Sequence, residues 1–174
     1  LHERGQKNGI EGIKKLSKEE LQEYEPHAAG LSALYCPETG IIDYMQVCRQ
    51  LSANIQENGE IAAGAAVISI ENRPDGITVA TETMEYNTSF LINCAGLFSD
   101  QVAELAGTKR QVRIVPFRGE YYMLKEQARH LVKNLIYPVP DPRYPFLGVH
   151  FTRTIDGGIE AGPNAVLAWA REGY

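Results

Sequence analysis

Residues 90–100 read Phe90-Leu91-Ile92-Asn93-Cys94-Ala95-Gly96-Leu97-Phe98-Ser99-Asp100 and decide the fold class. The first part, 90–95, is nearly continuous in apolar or small residues, which is typical of a strand buried on both faces in a parallel sheet. Gly96 ends the run, and Ser99-Asp100 predicts the start of a helix that Gly107 ends. Small residues at the end of such a strand let a ligand approach the backbone, and a helix start suits a diphosphate. On spacing alone, an ordinary structural turn is the favoured interpretation.

The segment upstream predicts one helix and a small antiparallel meander. Asp43 is placed to cap a helix that runs to about Glu57. Strands are expected over 62–71, 77–81 and 84–86, with Pro74-Asp75-Gly76 as a turn. Together with the strand–turn–helix stretch, these elements form an αβ module over about 43–107.

The amino-terminal segment predicts helix followed by one strand. Residues 8–25 carry apolar side chains near helical spacing, and Ser17-Lys18-Glu19-Glu20 has the form of a capping box. One helix should therefore begin at Ser17 and stop before Pro26. Residues 30–35 are a strand candidate.

Longer and more aromatic strand candidates follow the module. They cover 112–115, 119–125, 146–154 and 158–161, and the last two form a hairpin about Asp156-Gly157. The mixture of an αβ module with flanking antiparallel strands predicts an α+β or α/β fold, in which pieces on both sides of the module belong to a second domain.

The stretch Phe146-Leu147-Gly148-Val149-His150-Phe151-Thr152-Arg153 carries a candidate base. Strand alternation puts Leu147, Val149 and Phe151 on a core face, and Gly148, His150 and Thr152 on the other. Histidine acts as a general base near neutral pH, and a neighbouring glycine leaves room for a bound group. A structural histidine is the alternative.

A second candidate motif is Pro116-Phe117-Arg118-Gly119-Glu120-Tyr121-Tyr122. Arg118 is expected at a bend between strands, where its guanidinium can meet an anion. A surface arginine paired with Glu120 is the favoured alternative when the motif is taken alone.

The overall charge narrows the choice of partners. Lys plus Arg number 17 and Asp plus Glu 22, giving a net charge of −5, which argues against nucleic acid but not against a small acidic substrate. Cys36, Cys48 and Cys94 match no zinc or disulfide framework, and no metal site is predicted. Sparse cysteines fit a reducing compartment, so a cytoplasmic location is expected. No apolar stretch is long enough to span a membrane.

Taken together, the motifs resemble the D-amino-acid oxidase-like superfamily of FAD-dependent oxidoreductases. The resemblance covers essentially the whole chain and is carried by Pro37-Glu38-Thr39-Gly40-Ile41-Ile42-Asp43 and by Leu91-Ile92-Asn93-Cys94-Ala95-Gly96. Within the superfamily, 116–122 and 150–165 look most like the L-2-hydroxyglutarate oxidase/dehydrogenase family. The resemblance implies part of an FAD-binding Rossmann-like domain, 43–107, interleaved with an antiparallel-sheet substrate domain formed by 1–42 and 108–174.

The resemblance also implies site residues. The FAD-contacting positions would be Ala66, Val67, Cys94, Ala95, Gly96, Arg118 and Gly119, with Ala66-Val67 on the adenosine side and Arg118-Gly119 near the flavin ring. The catalytic residues would be His150 and Arg118, and the substrate-binding residues Tyr122, His150 and Thr152. The family's G-x-G-x-x-G motif is not found in these residues, and the chain starts at Leu1 without Met. We therefore expect an internal piece of a longer protein, inactive and without FAD when taken alone.

For the longer protein, the resemblance implies oxidation of a 2-hydroxy acid, L-2-hydroxyglutarate, to the 2-keto acid by hydride transfer to FAD. The implied partners are a dicarboxylate substrate, an electron acceptor such as oxygen or a quinone, and a peripheral membrane contact. Two alternatives remain open within the fold, an FAD oxidase of the amino-acid, sarcosine or glycine type and a non-catalytic module. A third is that this short chain is complete.

Overall fold

The computed structural model describes residues 1–109 and 111–173. The chain divides into two compact units, each made of two stretches: a first unit of Leu1–Gln50 with Gly119–Ala165, and a second unit of Leu51–Arg118 with Val166–Tyr174. Helices and antiparallel sheets are mixed along the chain, so the predicted α+β class is confirmed.

The amino-terminal part of the first unit pairs two short strands around a capped helix. Helix α1 covers His2–Lys7, strand β1 Lys14–Ser17, helix α2 Lys18–Tyr24 and strand β2 Ser32–Tyr35, with β1 and β2 antiparallel. The predicted capping box is present, because the Ser17 hydroxyl accepts from the Glu20 backbone N–H and the Glu20 carboxylate accepts from that of Ser17. The predicted helix that begins at Ser17 is confirmed as α2. The helical interpretation of the residues before Ser17 is wrong, since β1 occupies 14–17 and pairs with β2.

The second part of the first unit holds most of a three-stranded sheet, whose outermost residues 117–118 and 166–167 belong to the second unit. Strands β6 (Phe117–Met123), β7 (His150–Arg153) and β8 (Ile159–Leu167) lie in the order β6-β8-β7. The predicted hairpin is confirmed, with Thr154 N–H donating to the Gly158 carbonyl at 3.0 Å. Ile159 is fully buried and Val132 is 5% exposed, so the core of this sheet lies at the start of β8.

The second unit contains the meander, and the helix that precedes it runs from the first unit into the second. Helix α3 covers Tyr44–Gln56, followed by strands β3 (Val67–Arg73), β4 (Gly76–Thr81) and β5 (Glu85–Thr88) in the order β3-β4-β5, as predicted. The Asp43 carboxylate accepts from the backbone of Met45 at 2.9 Å, which confirms the predicted cap of α3. Ile70 and Val79 are the buried apolar pair at the centre of this sheet.

The apolar run 90–95 is not a strand, and this prediction is wrong. Phe90 is 85% and Ile92 83% exposed, and the segment pairs with no strand among the described residues. A parallel strand is held by hydrogen bonds to its neighbours, and without them apolar sequence alone does not make a sheet. The helix after it is confirmed: a 3₁₀ turn at Gly96–Phe98 leads into α4 (Ser99–Leu105).

Two further strand predictions need correction. Residues 112–115 form no strand, and the Ile114 N–H instead donates to the Asp100 carboxylate at 3.3 Å. Strand β7 begins only at His150, so alternation does not extend over 147–149. Leu147 and Val149 are consequently exposed, whereas His150 is buried, which reverses the predicted faces. Over 1–109 and 111–173, no helix combines the length and the apolar character that crossing a membrane requires.

Candidate active site

His150 is a buried polar side chain at the first position of β7. The residue is 7% exposed, and its Nδ1 lies 3.1 Å from the carbonyl oxygen of Gly148. Because a carbonyl oxygen only accepts, Nδ1 must carry the proton and donate. In the neutral imidazole, Nε2 then holds the lone pair. The local backbone therefore fixes the tautomer that a general base needs.

Aromatic side chains hold the His150 ring. Tyr137 stacks on it with centroids 4.5 Å apart and an interplanar angle of 24°, and Tyr121 approaches edge-on at 6.3 Å. The Tyr137 hydroxyl lies 3.4 Å from Thr152 Oγ1 on the same strand. Tyr137 was not among the sequence-predicted residues, because no local signal connects a tyrosine in a loop to a histidine thirteen positions away along the chain.

Glycine at position 148 makes this arrangement possible. A Cβ built there would lie 2.7 Å from Pro138 Cγ, closer than a real Cβ contact. The loop after Ile136 can therefore pack against β7 only because residue 148 has no side chain. The hydrogen-bonded pairing of Ile136 with Phe151 holds the same loop from the other end. We conclude that the sequence Gly148-Val149-His150 places both the hydrogen-bond partner and the stacking partner of the imidazole.

The turn at Cys94-Ala95-Gly96 is the predicted ligand-approach segment of the second unit. The Asn93 side chain stabilises this turn, because it accepts from the Ala95 N–H at 3.1 Å and donates to the Ser99 carbonyl at 2.8 Å. Gly96 has φ of 54°, and a Cβ there would meet nothing within 4 Å. The turn is thus fixed by its own side chains and open on the Gly96 side, which leaves room for a bound group.

Asp100 has a structural role in the second unit. Its carboxylate accepts from the guanidinium of Arg171 at 2.6 and 2.8 Å, and from the backbone N–H groups of Gln101 and Ile114. The Arg171 hydrogen bonds, aided by the two backbone donors, hold the pKa of the Asp100 carboxyl well below its usual range. Arg171 also donates to the Leu97 carbonyl. The sequence pattern predicted only a helix start at Asp100, and no local pattern indicated its ion pair with Arg171.

The Asp100 pairing predicts an acid-dependent loss of stability. Since the folded-state pKa is below the ordinary value of 3.8, the pairing contributes fully above about pH 4 and is lost as pH falls further. We expect Asp100→Asn to lower the thermal unfolding midpoint of the second unit at pH 7 and 5, with the gap to the native sequence narrowing at pH 3. Asp75→Asn, at an exposed turn, is the control and should show no such pH-dependent gap. A gap of constant size at all three pH values would contradict the assignment.

The remaining predicted residues lie in two groups. Gly119, Tyr122 and Thr152 belong to the first unit with His150, whereas Ala66, Val67 and Arg118 belong to the second unit with residues 94–96. Tyr122 is 72% exposed on β6, and Val67 begins β3 beside a register shift. A Cβ at Gly119 would lie 3.2 Å from Pro163 Cβ, so this glycine packs closely on β8. Arg118 is half-buried on β6. The structure thus brings Thr152 next to the His150–Tyr137 pair and keeps 94–96 together as one turn.

The chain resembles solved structures over nearly all of its length and curated relatives over all of it. An L-proline dehydrogenase from P. horikoshii superposes with a TM-score of 0.79 at 18% identity, over 97% of this chain and 45% of that chain. A glycine oxidase from Geobacillus kaustophilus gives a TM-score of 0.70, also at 18% identity, over 97% and 44%. At this identity, the likeness establishes the fold alone.

Sequence relatives are much closer. L-2-hydroxyglutarate dehydrogenase of Indibacter alkaliphilus is 49% identical over all of this chain and 44% of its own length. The mitochondrial L-2-hydroxyglutarate dehydrogenase of Homo sapiens is 44% identical over all of this chain and 40% of its own length. The chain therefore spans well under half the length of these curated relatives. Because the family model for FAD-dependent oxidoreductases (DAO) matches residues 1–173, the chain belongs to that family.

Proposed function

We propose that the protein containing this chain oxidises a 2-hydroxy acid, L-2-hydroxyglutarate, to its 2-keto acid with FAD. The observation that carries the proposal is the buried His150, whose Nδ1 donates to the Gly148 carbonyl and whose Nε2 therefore holds the lone pair. The names of the relatives that match the whole chain support the choice of substrate.

The residues present fit one wall of a flavin site. Gly96 is open, with space where a Cβ would stand, and the preceding Phe90 and Ile92 expose apolar surface that a planar ring system can cover. The sequence shows no G-x-G-x-x-G loop of the kind that cradles a diphosphate. Among the described residues, Ala66, Val67, 94–96, Arg118 and Gly119 are our candidates to contact FAD.

The chain's own contribution to the reaction is positioning and proton transfer. FAD, when bound, supplies the acceptor for the hydride that leaves C2 of the substrate. His150 Nε2 takes the proton from the substrate hydroxyl, so that the C2–O bond becomes a carbonyl as proton and hydride leave. Thr152 and Tyr122 are our candidates for substrate contacts, and Arg118 for stabilising negative charge. Residues 43–107 are proposed as part of the FAD-binding domain, and 1–42 with 108–174 as part of the substrate domain.

The proposed cellular setting is the cytoplasm. Cys36, Cys48 and Cys94 are all free thiols, which supports a reducing compartment and hence the cytoplasm. The Homo sapiens relative named above is mitochondrial by name, so the two locations are separate outcomes of a localisation experiment. Oxygen or a quinone as electron acceptor and a peripheral membrane contact complete the proposal.

Anaerobic flavin absorbance of the full-length protein tests the proposal. We expect the oxidised flavin band to bleach on addition of L-2-hydroxyglutarate and to persist on addition of glycine, sarcosine or L-proline. Bleaching by an amine substrate instead would overturn the hydroxy-acid assignment in favour of an amino-acid type oxidase. A full-length protein without a flavin band would indicate a non-catalytic module.

A further inference from the structure

A separate pocket of about 410 Å³ lies in the first unit. It is formed by the segment after β2, which includes Cys36 and Thr39, by Lys133, Asn134 and Tyr137 of the loop before β7, and by Arg153 at the end of β7. Its volume is within the range of small-molecule sites, about 300–1,000 Å³. None of the residues assigned to substrate or FAD above contributes to its wall.

The pocket is cationic in an acidic protein. Two of its lining residues, Lys133 and Arg153, are positively charged, and no Asp or Glu is among its described lining residues, although the whole chain has a net charge of −5. Among the ion pairs formed within 1–109 and 111–173, none uses Lys133 or Arg153. Two cations that share a cavity and have no carboxylate partner favour an anionic ligand.

Arg153 is held in place by the backbone. One guanidinium nitrogen donates to the carbonyl oxygens of Val132 at 3.1 Å and Lys133 at 3.2 Å. These bonds fix the plane of the guanidinium and leave its other N–H donors for a ligand. A fixed guanidinium binds a carboxylate with less loss of side-chain entropy than a mobile one.

The pocket shares a wall with the candidate base. Tyr137 lines the pocket and also stacks on His150, and its hydroxyl lies next to Thr152, the residue before Arg153. Tyr137 therefore connects the candidate base to the pocket that Lys133 and Arg153 line. Side-chain alternation along β7 places His150 and Arg153 on opposite faces, so the sequence alone does not predict this connection.

We propose that Lys133 and Arg153 bind the distal carboxylate of the substrate and so select dicarboxylates over monocarboxylic 2-hydroxy acids. This inference rests on the proposed 2-hydroxy-acid oxidation, and it adds which residues read the second carboxylate. Lys133 is the more informative position, because its side chain is exposed at the pocket and Arg153 also supports the backbone.

Steady-state kinetics of the full-length protein test the assignment. Lys133→Met should raise KM for L-2-hydroxyglutarate about tenfold with little change in kcat, as expected for loss of a charge-assisted contact made equally in ground and transition states. KM for the monocarboxylate L-2-hydroxybutyrate should stay at its native value. Lys133→Arg should retain KM for the dicarboxylate, and Lys125→Met, an exposed lysine outside the pocket, is the matched control. Equal changes for both substrates, or no change for either, would overturn the proposal.

Calorimetric binding separates this inference from the proposed reaction. Glutarate, which has no hydroxyl to oxidise, should bind the native protein and bind Lys133→Met about tenfold more weakly, whereas butyrate should not distinguish the two. If the native protein turns over no 2-hydroxy acid, the proposed function fails. The glutarate titration still tests whether the pocket binds a carboxylate. Glutarate binding that Lys133→Met leaves unchanged, or no glutarate binding at all, refutes the carboxylate site.

Discussion

His150→Asn should lower kcat for L-2-hydroxyglutarate in the full-length protein by about 10²–10⁴-fold, the usual contribution of a general base. Asparagine is the informative replacement because its side-chain N–H can still donate to the Gly148 carbonyl, as Nδ1 does at 3.1 Å, while no group replaces the lone pair of Nε2. The protein should therefore remain folded and lose the proton acceptor. The measurement is the rate of anaerobic flavin reduction at saturating substrate.

A matched control is available on the same unit. His130 Nδ1 also contacts a backbone carbonyl, that of Gln127 at 2.8 Å, but its ring is exposed. His130→Asn should leave the reduction rate close to the native value, as surface substitutions usually do. His150→Asn that reduces flavin at the native rate would remove His150 as the base. A thermal midpoint shared by the native protein and His150→Asn would show that the lost rate is chemical and not a folding defect.

Elements whose signals are local could be predicted from the sequence. The Ser17–Glu20 capping box spans one helical turn, and Asp43 caps α3 through the backbone two residues on. The β7–β8 hairpin follows from Asp156-Gly157, where Asp156 accepts from the Thr154 hydroxyl and the Gly158 N–H within the same turn. In each case, the groups that stabilise the element lie within a few residues, so their pattern is visible in the sequence.

Elements that depend on partners distant along the chain could not be predicted from the sequence. The run 90–95 has the composition of a parallel strand, but strand formation requires a neighbour to bond with, and composition does not specify one. The strand predicted over 112–115 does not form for a related reason: the Ile114 N–H, which a sheet neighbour would have bound, donates to the Asp100 carboxylate. The same holds for the candidate site. The motif around His150 could be recognised in the sequence, whereas only the structure shows that Tyr137 stacks on the imidazole.

The largest stability effect is expected at Glu25, which no local pattern singles out. Glu25 is 4% exposed. Its carboxylate accepts from the Lys133 N–H at 3.1 Å and from the Asn134 side chain at 2.8 Å, as well as from the Asn134 backbone N–H. The two segments are separated by 109 residues in the chain. This contact holds the backbone that carries Lys133 and Asn134 into the cationic pocket, and that also binds Arg153.

We expect Glu25→Ala to destabilise this loop by about 3 kcal/mol, because two backbone donors and the Asn134 side chain lose one buried carboxylate acceptor at once. That energy corresponds to roughly a 150-fold loss of protection against hydrogen exchange at the Lys133 and Asn134 amides. Glu25→Gln keeps one acceptor oxygen and should lose about half as much energy. Native-state exchange of the full-length protein, followed by mass spectrometry of peptides covering 131–136, measures the effect locally.

The control for this effect is Glu23, an exposed residue of α2 two positions before Glu25. Glu23→Ala should leave exchange at 131–136 unchanged, since an exposed carboxylate one half-turn away contributes little to a distant loop. Loss of protection at 131–136 should also raise KM for L-2-hydroxyglutarate in Glu25→Ala, because Lys133 is then no longer held at the pocket. Equal exchange at 131–136 in Glu25→Ala and Glu23→Ala would show that the loop is ordered by its other contacts, and would leave Glu25 without the role assigned to it.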